Sequence, residues 1–175
     1  MPRLLLLRHA KSAWGEPSLK DHDRPLNARG RAACATMAGW LAERNLRPDL
    51  VLSSTSTRTR ETWARLAEAA GWKHEPVWLE SLYLATADTM LTALRREGRQ
   101  AHTVMMIGHS PGIEGLARRL GAAGDTAARR RMLLKFPTAG LAWIELEGTW
   151  TDAGSSPGRL EAFVTPRELD ASTAS

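Results

Sequence analysis

Leu4-Leu5-Leu6-Leu7-Arg8-His9 opens the chain with four consecutive leucines running straight into a basic pair. An unbroken apolar run this short reads as a β-strand covered on both faces; a strand with one wet face would alternate. Two further segments share the character: Leu50 to Leu52 runs into Ser53 to Arg58, and Val104 to Ile107 runs into Gly108-His109-Ser110-Pro111. Between them lie stretches of helical period. About Ala28 to Arg44 carries Ala33, Met37, Trp40 and Leu41 on one side, with Asn27 as N-cap. Trp63, Leu66, Ala67 and Ala70 form a second stripe that stops at Gly71. Val77-Trp78-Leu79 reads as a short strand, and Met90, Leu91 and Leu94 mark a third helix. Ile113, Leu116, Ala117 and Leu120 mark a fourth, at i, i+3, i+4 and i+7.

Strand-then-helix repetition predicts an α/β fold: three layers, with a mainly parallel central sheet and helices on both faces. The last third changes character, with strands at Leu141 to Leu146 and Leu160 to Val164 joined by a turn around Ala153 to Gly158. No repeat, linker or second domain interrupts the chain. Residues 1–166 therefore read as one domain, and residues 167–175, with little to bury, as a flexible tail.

The composition is that of a globular protein: 43% hydrophobic and 25% charged over 175 residues. The apolar run at the start is too short for an export signal or a membrane span. Cys34 is the single cysteine and sits among Ala32, Ala33 and Met37, so it reads as helix packing in a reducing cytoplasm. The net charge of +5 is carried mostly by arginine, in clusters such as Arg95-Arg96 and Arg129 to Arg131. That balance favours anionic partners without choosing among them. A nucleic-acid module would add exposed aromatics along a continuous arginine face, and no such motif is present.

Ligands of open α/β sheets bind beyond the carboxyl ends of the strands. There this sequence places Arg8 and His9, then Ser53 to Arg58, then His109. A lone histidine at a strand end is usually structural. Here two arginines offer planar, permanent donors matched to phosphate oxygens, and a second histidine offers another. A neutral imidazole attacks phosphorus without a base, provided its other ring nitrogen is pinned. The constellation thus points to phosphoryl transfer, which needs mainly positioning and electrostatics.

Leu7-Arg8-His9-Ala10-Lys11-Ser12 resembles the first block of the histidine phosphatase superfamily, although its commonest form has glycine where this chain has Ala10. Ser53 to Thr62, with Arg58 followed four positions on by Thr62, resembles the second block. Ile107-Gly108-His109-Ser110-Pro111-Gly112 resembles the third. Asp23-Arg24-Pro25-Leu26 followed by Gly30, and Phe136-Pro137-Thr138-Ala139-Gly140, are similar to the SixA-like phosphohistidine phosphatase branch.

The resemblance implies a phosphohistidine intermediate on His9, with Arg8, Arg58 and His109 on the phosphoryl group and Arg24 and Ser12 as substrate contacts. Arg60 lies only two residues from Arg58; on a helix the two point in different directions, and the resemblance to the second block favours Arg58. Glu80 is the best-placed candidate for a general acid. If it lines the pocket, a small-molecule phosphate monoesterase becomes the competing reading; a non-catalytic phosphate-binding relative is a more distant one. The scheme needs no metal and no cofactor. The expected partner is a phosphorylated substrate, for which the resemblance suggests a phosphohistidine-bearing signalling protein, met by a cytoplasmic monomer without nucleic acid or membrane.

Overall fold

The computed structural model describes residues 1–174. A seven-stranded sheet is built from β1 (Arg3–Arg8), β2 (Leu50–Ser53), β3 (Val77–Trp78), β4 (Thr103–Gly108), β5 (Ala123–Gly124), β6 (Leu141–Glu145) and β7 (Arg159–Val164). Their order is β3-β2-β4-β1-β6-β7-β5. β3, β2, β4 and β1 are parallel neighbours, and β6 alone runs against the rest. The expected α/β layering, with helices on both faces of a mainly parallel sheet, is the architecture found.

The leucine run explains the layering. Leu4 and Leu6 join the apolar cluster on one face, while Leu5 and Leu7 join the cluster on the other. Full burial of each such leucine stabilises the fold by roughly 1.5–3 kcal/mol. The first cluster is covered by α3 (Ala87–Glu97), α4 (Gly112–Leu120) and α5 (Thr126–Leu134). The second is covered by α1 (Ala28–Glu43) and α2 (Thr57–Ala70). Asn27 caps α1 as expected, its side chain accepting from Gly30 N at 2.8 Å, and Gly71 ends α2 in the left-handed conformation.

Two features depart from expectation. Residues from Pro166 onward form α6 (Pro166–Thr173) rather than a loose tail. Thr165 caps this helix and Pro166 opens it, Leu169 packs on the α1 side, and Thr36 donates to Asp170 at 3.1 Å. α5 and β5 have no counterpart in the sequence pattern, because α5 buries only Ala128 and Met132 around its arginines and β5 is two residues long. Among the described residues no helix is long and apolar enough to cross a membrane.

Candidate active site

β1, β2 and β4 end side by side, Arg8 opposite Gly108 and Ser53 opposite Ile107. Each strand hands its next residues to the same opening, a cavity of about 280 Å³ lined by Arg8, His9, Ser12, Arg24, Arg58 and His109, among others. Six of the seven residues expected at the site are therefore brought together. The seventh, Glu80, is exposed on the short 3-10 turn after β3 and lies outside that lining. That turn instead brings Tyr83 edge-on to the ring of His109, 5.4 Å between centroids, and Leu84 to the cavity wall.

His9 is held by backbone on both sides. Its amide donates to Gly108 O at 3.0 Å, and its Nδ1 lies 2.7 Å from Ala10 O. A carbonyl only accepts, so Nδ1 carries the proton and Nε2 keeps the lone pair. The ring centroid of His109 lies 5.3 Å away. His109 Nε2 meets Ser54 Oγ at 2.8 Å, and Ser54 Oγ in turn accepts from Ser56 N at 3.3 Å. His109 Nδ1 is buried and has no protein partner.

The blocks recognised in the sequence have mechanical roles. Thr62, four residues after Arg58, accepts from Ala10 N at 2.9 Å and donates to Arg58 O at 2.6 Å, tying the first block to α2. Phe136 O accepts from Arg8 Nη1 at 2.9 Å, and Ala139 N donates to Arg8 O at 3.0 Å, so the Phe136 to Gly140 turn clamps Arg8. Gly30 is required by close approach: a Cβ there would stand 2.1 Å from Lys11 O. Ala10 is fully buried, and its methyl fits the apolar cluster beneath α1.

Arg58 is 3% exposed. Arg60 instead donates to Thr55 O and lies over Trp78, away from the cavity. Sequence reasoning missed Trp14, Leu84 and Ser110 on the cavity wall, and Asp21 and Tyr83, which hold the arginines from behind. Arg58 Nη1 donates to Asp21 O at 2.8 Å and Nη2 to Asp21 Oδ2 at 3.1 Å, while Arg24 Nε donates to Asp21 Oδ1 at 3.2 Å. The Tyr83 hydroxyl donates to Asp21 Oδ2. That phenol, followed by the two arginines, holds the Asp21 carboxyl below the usual range, so it is ionised and serves as the arginines' counter-ion. The three-residue spacing from Asp21 to Arg24, and Tyr83 being the only tyrosine, were the available signals.

Burial pushes the pKa of His9 down to about 4, with Arg58, Arg8 and Arg24 adding in the same direction. Burial, then His9 and Arg58, push His109 down to about 3. Both rings are neutral at pH 7. The unfolded chain takes protons at these rings near pH 6.5, where the folded chain refuses them. Stability therefore rises with pH between about 4 and 6.5 and is lost as the pH falls through that window. An NMR titration of the His9 ring should show a midpoint near 4. A midpoint at 6 to 7 would mean that burial and the arginines do not govern this ring.

Among the described residues, no group of three or more His, Cys, Asp or Glu side chains is placed to hold a metal ion. The family model for the histidine phosphatase superfamily, branch 1, matches residues 4–83. An uncharacterized protein of Mycobacterium tuberculosis is 36% identical over 163 residues, 92% of this chain and 100% of that protein. A crystal structure of a candidate phosphohistidine phosphatase SixA from Agrobacterium tumefaciens superposes with a TM-score of 0.79 at 33% identity, covering 95% of this chain and 99% of that one. A SixA candidate from Nakamurella superposes at 0.81 with 27% identity, covering 94% and 96%. With three motif blocks converging on one sheet edge and these matches along nearly its whole length, the chain belongs to the histidine phosphatase superfamily, in its SixA-like branch.

Proposed function

We propose that this protein removes phosphoryl groups from histidine side chains of other proteins, with His9 as the nucleophile. Phosphatase activity as a class is what the family and its SixA-like neighbours support. One observation supports a phosphoryl-binding floor: of the five buried side-chain polar atoms without partners among the described residues, four, Arg8 Nε, Arg58 Nε, His109 Nδ1 and Ser110 Oγ, belong to residues around the one cavity. Each unpartnered group costs about 1–3 kcal/mol in a folded protein. A phosphoryl group, with three anionic oxygens, supplies acceptors for such donors.

In this reading His9 Nε2 attacks phosphorus in line, forming an N–P bond as the bond from phosphorus to the substrate nitrogen breaks. The departing imidazole carries the electron pair and is protonated from water. A water molecule then attacks the phosphohistidine, releasing inorganic phosphate and restoring the lone pair of His9. Arg8, Arg58 and His109 donate to the equatorial oxygens throughout, while Arg24 and Ser12 border the entrance.

The leaving group decides between phosphohistidine and a phosphate ester. An alkoxide needs a general acid, a contribution of about 10²–10⁴-fold. Glu80 stands outside the cavity, Asp21 is ionised, and the Tyr83 hydroxyl is engaged as a hydrogen-bond donor to Asp21. Imidazole departs readily once protonated. The partner would be a phosphohistidine-bearing signalling protein, met by a cytoplasmic monomer.

The test is one peptide carrying either phosphohistidine or phosphoserine. The phosphohistidine form should be hydrolysed with a kcat/KM at least about 10²-fold higher. Equal rates, or turnover of phosphoserine alone, would move the assignment to an ester phosphatase.

A further inference from the structure

The mouth of the cavity carries two large apolar side chains that face water, Trp14 at 78% and Leu84 at 56% exposed. Neither is needed to hold a phosphoryl group, and neither is left exposed by an untidy loop. Ser12 pairs with Leu26 as an antiparallel bridge, and Ala13 N donates to Pro25 O at 2.9 Å. Continuing that register sets Trp14 directly across from Arg24. The Arg24 guanidinium lies 3.6 Å from the centroid of the indole and is tied at its edge to Asp21. One face of the Trp14 ring is thereby fixed against the cation, and its remaining surface is presented to solvent. Leu84 stands on the same cavity wall in the left-handed conformation, φ 49°, which strains a leucine backbone. Strain and exposed apolar area at one rim are what a built contact surface has, and a chance loop lacks.

We infer that Trp14 and Leu84 form a leaving-group site that grips a flat unsaturated ring attached to the phosphoryl group, such as the imidazole of phosphohistidine. This deepens the proposed function and rests on its placement of the phosphoryl group on the arginine and histidine floor. With phosphorus there, the rest of the substrate leaves through the mouth past both side chains. A ring lying against indole gains stacking and apolar contact that a methyl or amino group of the same charge does not, a difference of roughly three- to tenfold in affinity. Trp14 and Leu84 then select by leaving group and not by phosphate.

Non-hydrolysable ligands test this without relying on turnover. Binding of phenylphosphonate and methylphosphonate is compared by calorimetry on the wild type, Trp14→Ala, Trp14→Phe and Leu84→Ala. The wild type should prefer phenylphosphonate three- to tenfold. Trp14→Ala and Leu84→Ala should lower that ratio towards one, and Trp14→Phe should restore most of it. Both side chains are largely exposed, so the variants should fold, and an unchanged melting temperature checks this. A Trp14→Ala variant that weakens both ligands equally would mean that Trp14 only steadies Arg24, and would overturn the site. So would a wild type without preference. A protein that shows the ring preference yet leaves phosphohistidine untouched would retain this site and lose the proposed substrate, so the two failures are distinct.

Discussion

His9→Ala should give a folded protein whose turnover of any phosphorylated substrate is lower by about 10⁴–10⁶-fold, the range seen when a covalent nucleophile is removed. The size of the loss follows from what no neighbour can replace. The other imidazole in the cavity, His109, has its Nε2 engaged by Ser54 Oγ, and its ring centroid stands 5.3 Å from that of His9, so it does not occupy the position from which His9 attacks. The arginines are donors only. The fold has little stake in the ring: His9 makes one side-chain hydrogen bond, to Ala10 O, worth roughly 1 kcal/mol. Its removal also relieves the desolvation that drives its pKa down. The variant should therefore melt within a few degrees of the wild type and still bind phosphate. Its loss of stability between pH 7 and 5 should be the smaller, because one of the two rings that refuse protons is gone. Acid-labile 32P bound to the wild type and absent from His9→Ala would locate the intermediate; normal turnover in the variant would remove His9 from the chemistry.

What made this site readable in advance was the coupling of two signals at each strand end. Four leucines specify a strand with no wet face, and such strands place their next residue at the ligand-binding edge. His9, His109 and the stretch Ser53 to Arg58 could be brought together on that rule, while the choice of Arg58 over Arg60 came from the resemblance to the second motif block. The direction of β6 could not be read, because Leu141 to Glu145 bears the same local pattern whether it runs with β1 or against it. α5 was hidden for a related reason. Its buried side is two small contacts, Ala128 and Met132, in a segment whose arginines dominate any periodicity. Asp21 and Glu80 show the harder limit. Both are carboxylates in connecting segments, and sequence favoured the one that follows a strand. The structure favours Asp21, because a 3-10 turn over Asp21–Asp23 folds back onto the arginines while the turn after β3 carries Tyr83 and Leu84 to the cavity. Loop direction depends on contacts made far away in the chain, and local pattern holds no record of it.

Arg58→Ala should lower kcat by about 10²–10³-fold, the usual cost of one preorganised donor to developing charge. Lysine should not rescue it. Arg58 spends Nη1 on Asp21 O and Nη2 on Asp21 Oδ2 and still has Nε unpartnered, whereas an ammonium is a point charge that cannot hold both contacts and face the substrate. The effect on stability should be small by comparison, about 1 kcal/mol, because Asp21 is half-exposed and keeps Arg24 and Tyr83. Asp21→Asn separates charge from position. Arg58 would stay in place through the backbone carbonyl while its counter-ion is lost, so substrate affinity should change more than kcat. Arg60→Ala supplies the control, since that side chain is bound to Thr55 O and Trp78 outside the cavity and its loss should leave turnover within about twofold. If Arg60→Ala were the crippled variant and Arg58→Ala the mild one, the second motif block would have been read two residues out of register. The burial of Arg58 would then need a purely structural explanation, which its unpartnered Nε does not provide.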